Sequence, residues 1–175
     1  MWNRPSARPG PRVLRVVLDT NIIVSSLLSP SGAPAAVLDA WRELRFVLLL
    51  SPAMLEELRC TLARPRIRRK YGVAAKDVGT ICQALERYAL WVKGDTPFDK
   101  TVLSDADDVK FLACALEGRA DCIVSGDHHL LQLGVFAGIP ILSARQFLEQ
   151  LAVQSADEGG ASGERSFRES IRPAS

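Results

Sequence analysis

Residues 13–21 have the sequence Val-Leu-Arg-Val-Val-Leu-Asp-Thr-Asn, an apolar run that ends abruptly in polar residues. A short run that is rich in β-branched residues and bounded by polar ones is typical of a buried β-strand. We therefore predict a strand over residues 13–18, with Asp19 directly after its last residue. Residues 46–50, Phe-Val-Leu-Leu-Leu, predict a second buried strand of the same kind.

Short apolar runs alternate with segments of helical periodicity along the rest of the chain. Further strands are predicted at 90–92, 122–124 and 139–142. Helices are predicted at 20–28, 34–44, 75–88, 104–117, 128–133 and 143–151. Ser51 and Pro52 form a typical N-cap and first position of one more helix. Strands that are apolar throughout and alternate with helices indicate an α/β fold, with a parallel sheet covered by helices on both faces.

The composition is that of a single globular domain. The chain has 175 residues, of which 47% are hydrophobic and 24% charged, close to the averages of folded proteins. We predict that the domain comprises residues 12–153. Residues 1–11, rich in Pro, Arg and Gly, are predicted to be a flexible segment, and residues 154–175, rich in Gly, Ser and charge, a disordered tail.

Charge and cysteine patterns exclude several classes of function. The chain carries 22 Lys and Arg against 20 Asp and Glu, a net charge of +2, so its overall charge requires neither nucleic acid nor a membrane surface. There is no CxxC pair, and His128 and His129 are the only histidines, which argues against structural zinc. We find no signal peptide and no apolar run long enough to span a bilayer, so we expect a cytoplasmic protein without a membrane partner.

Carboxylates follow the predicted strands at one edge of the sheet. Asp19 follows the first strand, and Asp127 follows strand 122–124. Because the carboxyl ends of parallel strands meet at the edge where ligands bind, we expect both side chains there. Glu57, early in the helix after the second strand, and the acids of Asp-Ala-Asp-Asp at 105–108 are expected at the same edge.

Each acid alone has a structural explanation, as a turn residue, a helix N-cap or a favourable charge in a first helical turn. Their convergence needs more, because at ~5 Å and an effective dielectric constant of ~20 each pair repels by about 3 kcal/mol. We expect no Lys or Arg to neutralise the group, since Lys110, two positions after Asp108, is expected to turn to a different side. Oxygen ligands without clustered His or Cys then point to Mg²⁺ or Mn²⁺.

A carboxylate crevice with such a metal suits phosphodiester hydrolysis. One ion activates a bound water, and a second stabilises the leaving oxygen. No Ser-His-Asp set and no GxxxxGK[ST] or GxGxxG loop offers a different chemistry. A phosphoryl-transfer domain also has an acidic pocket at strand ends, but Asn21 stands where an Asp-x-Asp phosphatase has its second acid, and the lysine that ends a strand in a receiver domain is missing.

Four segments taken together resemble PIN-domain proteins, over about residues 13–151. They are 16–21 (VVLDTN), 51–58 (SPAMLEEL), 105–113 (DADDVKFLA) and 124–127 (VSGD). Within that family the chain is similar to the VapC-like toxins of type II toxin–antitoxin pairs. The resemblance implies a Rossmann-like α/β/α sandwich with a central parallel sheet, and Mg²⁺- or Mn²⁺-dependent ribonuclease activity. It also implies a homodimer and inhibition by a cognate antitoxin.

The resemblance also gives roles to individual acids. Asp19 matches the first metal-binding acid of the family and Glu57, which precedes a leucine, the second. Asp127 matches the acid of a Thr/Ser-x-Asp element, with Ser125 as its hydroxyl residue.

Two assignments stay open between alternatives. The family's third acid tends to precede small residues of the same helix by just over one turn, which favours Asp108, five positions before Ala113. Asp105 shares the helical face of Asp108 and is the second candidate. Thr20 and Asn21 are expected either to hydrogen-bond a metal-bound water or to cap the next helix.

A basic segment follows the second predicted acid. Its five positive charges within seven residues are Arg64, Arg66, Arg68, Arg69 and Lys70. The segment is interpreted either as an arm that contacts RNA phosphates near the carboxylates or as a solvated loop.

The sequence therefore predicts a metal-dependent endoribonuclease, the toxin of a type II toxin–antitoxin pair. Asp19, Glu57, Asp108 and Asp127 are its predicted catalytic acids. The alternative is a catalytically degenerate PIN-like module that binds RNA or an antitoxin.

Overall fold

The structure, a computed structural model, describes residues 12–72, 74–99, 101 and 106–169. Its central sheet is built from short strands. Within these residues the strands are β1 (Arg15–Leu18), β2 (Val47–Leu50), β3 (Leu90–Trp91), β4 (Cys122–Val124), β5 (Val135–Phe136) and β6 (Ile139–Leu142). Their order in the sheet is β3-β2-β1-β4-β6-β5.

Parallel pairing dominates the sheet. β1 pairs with β2 and β4, β2 with β3, and β4 with β6, all in parallel, while β5 runs antiparallel to β6. In central β1, Val16, Val17 and Leu18 have no exposed surface, which explains why this segment is apolar without alternation. The predicted α/β fold with a central parallel sheet is confirmed.

Helices flank the sheet and close the core. Within the described part of the chain they are α1 (Thr20–Leu28), α2 (Ala33–Arg42), α3 (Pro52–Ala63), α4 (Pro65–Tyr71), α5 (Ala75–Tyr88), α6 (Val109–Glu117), α7 (His128–Leu133) and α8 (Ala144–Glu169). Phe46, just before β2, packs edge-to-face on Phe147 of α8 with ring centroids 5.1 Å apart. This contact ties the last helix to the sheet.

No single helix in the described residues is long and apolar enough to cross a membrane. Among the described helices, α1 and α2 satisfy the same criteria of length and composition as a pair, across a bend of 103°.

One strand escapes prediction from the sequence. β5 and β6 form a hairpin through Ala137 and Gly138, whose φ angles are +48° and +80°. Positive φ at both central residues is the geometry of a type I′ turn, which Asn-Gly usually signals and Ala-Gly does not. With only two residues, β5 is also too short to show an alternating pattern.

The last helix is longer than the sequence predicts. It begins with a reciprocal cap, in which the Gln146 amide N donates to Ser143 Oγ at 3.3 Å and the Ser143 amide N to Gln146 Oε1 at 2.9 Å. The predicted end at Leu151 is wrong, because α8 has helical backbone to Glu169. No proline stands between 144 and 169, and glycine weakens a helix without stopping it.

The longer helix α8 extends past the predicted end of the folded domain. Helical backbone occupies 154–169, where the sequence predicts a disordered tail. Ser155 Oγ accepts a hydrogen bond from Arg45 Nη2 and donates one to the Leu151 carbonyl, both at 3.0 Å. Residues 1–11, the predicted flexible segment, and 170–175 lie outside the described residues, and the domain bounds 12–153 stay a prediction.

The helix predicted from Ser104 begins later. A 3₁₀ turn at Ala106–Asp108 precedes α6, which starts at Val109. Asp108 occupies the N-cap position of α6 without a side-chain capping hydrogen bond, and a tighter turn commonly starts a helix in that situation. Ser104 itself lies outside the described residues.

The carboxylate of Glu117, the last residue of α6, holds the loop after β3. It accepts hydrogen bonds from the backbone N of Lys93 and Gly94 at 2.8 Å and of Asp95 at 3.3 Å, and from Thr96 Oγ1 at 3.5 Å. These donors favour the ionised form and lower the pKa of Glu117 below its ordinary value of 4.5. Glu117 therefore links α6 to the loop through a single side chain.

Replacing Glu117 with Gln is expected to lower the melting temperature at pH 7, because an amide oxygen cannot serve all of these donors. A carboxylate with a lowered folded-state pKa contributes stability above its unfolded-state value near 4.5, and that stability is lost as the pH falls through the folded-state value. The difference in melting temperature between wild type and variant should therefore shrink as the pH falls from about 4.5 through the folded-state pKa of Glu117. A gap that is constant from pH 7 to the acid limit of folding would contradict this role, and Glu149→Gln on α8 is the control.

Candidate active site

The candidate site lies where the order of the strands along the chain reverses, between β1 and β4. From β1 the chain moves outward to β2 and β3, and later returns to form β4 on the other side of β1. The carboxyl ends of β1 and β4 therefore flank a topological switch point, where ligand sites form in parallel sheets. Asp19 follows β1 and Asp127 follows β4, so both acids stand at the predicted edge.

Asp19 is fixed by three hydrogen bonds. Its side chain is buried, and it is the N-cap of α1, with Oδ1 accepting from the Asn21 amide N at 3.3 Å. Oδ2 accepts from Ser125 Oγ at 2.5 Å. Its own amide N donates to the Val124 carbonyl at 2.9 Å. This carboxylate therefore has one defined position beside the end of β4.

Ser125 joins the two strand-end acids. Its hydroxyl is fully buried, donates to Asp19 Oδ2 and accepts from the Asp127 amide N at 2.9 Å. A second brace runs beside it, since Asn21 Oδ1 accepts from the Gly126 amide N at 3.2 Å. The loops after β1 and β4 are thereby held together by side chains predicted as accessory.

Asp127 is also a helix cap. Its Oδ1 accepts from the amide N of His129 and Leu130 at 2.8 and 3.3 Å, which begins α7. Asp19 and Asp127 are thus both helix N-caps, which is one of the structural roles that their sequence positions suggest. Both also line the same cleft. Capping and a position in the site do not exclude one another.

Glu57 forms an ion pair with Lys110, a residue that the sequence predicts to point away from the acids. Lys110 Nζ forms an ion pair with Glu57 Oε2, with side-chain exposures of 18% and 30%. The expectation that Lys110 turns away from the acids is wrong. It considered only the spacing between Lys110 and Asp108 on one helix, whereas the carboxylate that pairs with Lys110 comes from α3.

Two aspartates just before α6 lie in the cleft, and one of them, Asp108, is the favoured candidate for the third acid of the site. Asp108 is 8% exposed and lines the cleft, and Asp107 lines it too. Asp105, the second candidate, lies outside the described residues.

The basic segment forms a short helix, where the solvated-loop interpretation expected none. Pro65 occupies the first position of α4, and Gly72 ends it with φ at +61°. Arg64 lines the acidic cleft, whereas Arg66, Arg68 and Arg69 are exposed on the helix. The backbone of Lys70 lies in the same helix.

The cleft has a volume of about 500 Å³. Besides the acids and Arg64, its walls include Thr20, Asn21, Val24, Ser25, Thr61 and Phe111. Sequence reasoning missed Thr61, although its position four residues after Glu57 puts it on the same face of α3. Phe111 carried no signal beyond its apolarity.

The electrostatics of the cleft centre on Asp19. Burial raises the pKa of its carboxyl above the ordinary 3.8. The hydrogen bonds from Ser125 and the Asn21 amide lower it, and the carboxylates of Glu57 and Asp127 raise it further. The ionised carboxylate is therefore less favourable here than in water, and a cation beside Asp19 would favour it.

The donor set fits a hard divalent cation in chemistry. All candidate ligands are carboxylates, the ligands that Mg²⁺ and Mn²⁺ prefer. Within the described residues, however, no three His, Cys, Asp or Glu side chains are arranged so that they could hold an ion as they stand. One of these carboxylates, Glu57, is paired with Lys110, with which a metal would compete.

Comparison with known proteins identifies the family. The sequence profile of the PIN domain matches residues 15–129, more than half of the chain, and this span includes Asp19, Glu57, Asp108 and Asp127. The chain belongs to the PIN domain family. Members of this family are generally nucleases that use divalent metals.

One protein is similar to this PIN domain in sequence, and two solved structures were matched by structure comparison. The uncharacterized protein MJ1680 of Methanocaldococcus jannaschii is 32% identical over 120 residues, 69% of this chain and 75% of that protein. Among solved structures, the crystal structure of VapBC2 from Rickettsia felis bound to a promoter DNA fragment matches with a TM-score of 0.51 at 12% identity, covering 74% of this chain and 98% of that one. FitAcB from Neisseria gonorrhoeae matches with a TM-score of 0.46 at 20% identity, over 74% and 97%.

Proposed function

We propose that this PIN domain is a Mg²⁺- or Mn²⁺-dependent endoribonuclease and the toxin of a type II toxin–antitoxin pair. The observation that carries the proposal is the link from Asp19 through Ser125 to Asp127 at the switch point, with Glu57 and Asp108 on the walls of the same cleft. Family membership supports the nuclease class independently.

The residues of the chain have distinct tasks in this proposal. Asp19, Glu57, Asp108 and Asp127 would hold the cation, with Asp105 as the second candidate for the third acid. When bound, the cation supplies the positive charge that activates water for attack on a phosphodiester and stabilises the departing oxygen.

The accessory side chains keep these carboxylates in place. The Ser125 hydroxyl holds Asp19 in one rotamer, and Asn21 braces the loop that carries Asp127. Thr20 is 6% exposed in the wall of the cleft and is proposed to hydrogen-bond water there. Such support matters because a metal site tolerates little displacement of its ligands.

RNA is the proposed substrate because basic side chains lie next to the acidic cleft. Arg64 reaches the cleft itself, and α4 carries the exposed charges of Arg66, Arg68 and Arg69, with Lys70 in the same helix. These charges would bind backbone phosphates and position the strand without selecting its sequence.

Replacing Arg66, Arg68 and Arg69 together with alanine is expected to weaken binding of single-stranded RNA by about tenfold or more in low salt. The slope of log affinity against log salt should fall by roughly 2, since about 0.7 counterions are released per phosphate contact on a single strand. Fluorescence anisotropy at several salt concentrations measures both quantities on catalytically inactive protein.

The control is a triple variant with the same loss of charge elsewhere on the surface, Arg87, Arg119 and Arg145 to alanine. All three side chains are exposed and lie outside the cleft. If this variant weakens binding and lowers the salt slope equally, net charge and not α4 determines RNA affinity.

The toxin assignment includes a partner, an assembly state and a location. VapBC2, whose fold this chain shares, was crystallised as a complex on DNA, and we propose a cognate antitoxin, a homodimer and a cytoplasmic location for this chain. Co-expression with the product of the adjacent reading frame, followed by light scattering, should give a stable complex and, for the protein alone, twice the 19.1 kDa chain mass.

The alternative is a degenerate PIN domain that binds RNA or an antitoxin without cutting RNA. The Lys110–Glu57 ion pair favours it, because it engages one of the proposed ligands. Melting in increasing Mn²⁺ with the purified protein separates the two functions. A ligand at 100 times its Kd stabilises the folded state by about 2.7 kcal/mol, so the enzyme should melt several degrees higher, whereas an unchanged melting temperature and no RNA cleavage would support the degenerate module.

A further inference from the structure

We propose that Lys110 is the resident counter-ion of the acidic cleft, and that its ammonium group competes with a divalent cation for the Glu57 carboxylate. This inference rests on the proposed metal site. It adds a residue that competes with the metal from within the chain and thereby sets how tightly the cleft binds it.

Three contacts hold the Lys110 side chain over the cleft. Its Nζ forms the ion pair with Glu57 Oε2 and donates to the Asp107 carbonyl at 2.6 Å. The same nitrogen lies 5.2 Å from the ring centroid of Phe111, a distance at which a cation is attracted to the face of an aromatic ring. With only 18% of its side chain exposed, Lys110 is held in place at the edge of the cleft.

Helix electrostatics do not explain this position. Lys110 is the second residue of α6, and a positive charge in the first turn of a helix is unfavourable because that end carries a partial positive charge. The charge that favours this position must therefore lie on another element.

The acids that line the cleft supply this favourable charge. Its walls carry the carboxyl groups of Asp19, Glu57, Asp107, Asp108 and Asp127. Glu57 is among the groups that disfavour a negative charge on Asp19. An ammonium group paired with Glu57 reduces this repulsion in the metal-free protein.

The same contact has a cost when metal binds. A cation at the centre of the cleft would compete with Lys110 for the Glu57 carboxylate, because the metal and the ammonium group repel one another. Lys110 therefore stabilises the metal-free cleft and weakens its affinity for metal.

The test compares Mn²⁺ binding by wild type and Lys110→Met, using calorimetry with the metal alone. Methionine keeps the apolar stem over Phe111 and removes the charge. We expect about five- to tenfold tighter Mn²⁺ binding by the variant, together with a lower melting temperature without metal and a larger rise when Mn²⁺ is added. A purely structural role would lower the melting temperature without tightening Mn²⁺ binding.

A matched control separates the ion pair from a general effect of charge. Arg64 lines the same cleft, whereas the ion pair of Glu57 is made by Lys110, so Arg64→Met removes one positive charge without releasing Glu57. It should change the Kd for Mn²⁺ by no more than about twofold, and so should Lys76→Met on α5.

Each outcome decides the question. Tighter binding in Lys110→Met alone supports the inference. Equal tightening by Arg64→Met, or unchanged binding by Lys110→Met in a wild type that does bind Mn²⁺, overturns it and leaves the proposed function standing. Absence of Mn²⁺ binding by both wild type and Lys110→Met overturns the metal site and this inference together.

Discussion

Replacing Asp19 with asparagine is expected to reduce RNA cleavage on the order of 100-fold or more, while the folded protein becomes slightly more stable. Asparagine is as good an N-cap as aspartate, so its amide oxygen should keep the contact with the Asn21 amide N. Its Nδ2 would then face Ser125 Oγ, which must accept this hydrogen bond where it donates to Asp19 in the wild type. The buried negative charge disappears, and with it the repulsion from Glu57 and Asp127. We expect the metal-free melting temperature to rise by about 2–4 °C, which corresponds to about 1 kcal/mol in a domain of this size.

The two readouts oppose one another, which makes the prediction specific. A residue that serves only the fold would lose stability and activity together. Asp39→Asn on α2, which removes an exposed carboxylate paired with Arg42, should leave both values nearly unchanged. Full activity of Asp19→Asn, or a drop of several degrees in its melting temperature, would contradict the role given to Asp19.

Replacing Gly94 with alanine is expected to destabilise the fold strongly, by about 3 kcal/mol, or roughly 6–12 °C in melting temperature. Gly94 has φ at +73°, a left-handed conformation that costs an alanine about 1 kcal/mol. A Cβ at this position would also lie 2.7 Å from Ser51 Cβ. Ser51 is fully buried and caps α3, the helix that carries Glu57, so it cannot move aside cheaply.

A second glycine isolates the overlap from the backbone strain. Gly138 has φ at +80°, but a Cβ there would meet no atom within 4 Å. Gly138→Ala should therefore cost only about 1 kcal/mol. Chemical denaturation of both variants measures the difference, and equal losses would show that the approach of Gly94 to Ser51 contributes nothing.

The sequence predicts the strand-end acids well because their positions depend on the backbone alone. Once β1 and β4 are parallel neighbours, Asp19 and Asp127 must emerge at the same edge, whatever rotamers they adopt. The apolar runs at 16–18 and 122–124 fix those strands without help from distant contacts. The family resemblance, which the PIN domain match confirms, adds the order of the segments.

The sequence does not predict the partner of Lys110 or the hairpin of β5 and β6, because these depend on helix packing and on turn type. Lys110 pairs with Glu57 of α3, so its partner depends on how α3 and α6 pack together and not on its spacing from Asp108. The hairpin of β5 and β6 depends on positive φ at Ala137, which no residue pattern signals. The start of a helix and the conformation of a turn are settled by small free-energy differences that composition does not reveal.

The most direct test of metal-dependent hydrolysis is the chemistry of the RNA ends that the purified protein produces. Cleavage should require Mg²⁺ or Mn²⁺, stop in EDTA and resume when the metal is restored. In ¹⁸O-labelled water the new terminal phosphate should carry one solvent oxygen, because water is the nucleophile. A 2′,3′-cyclic phosphate product, cleavage that persists in EDTA, or intact RNA at every metal concentration would contradict the account.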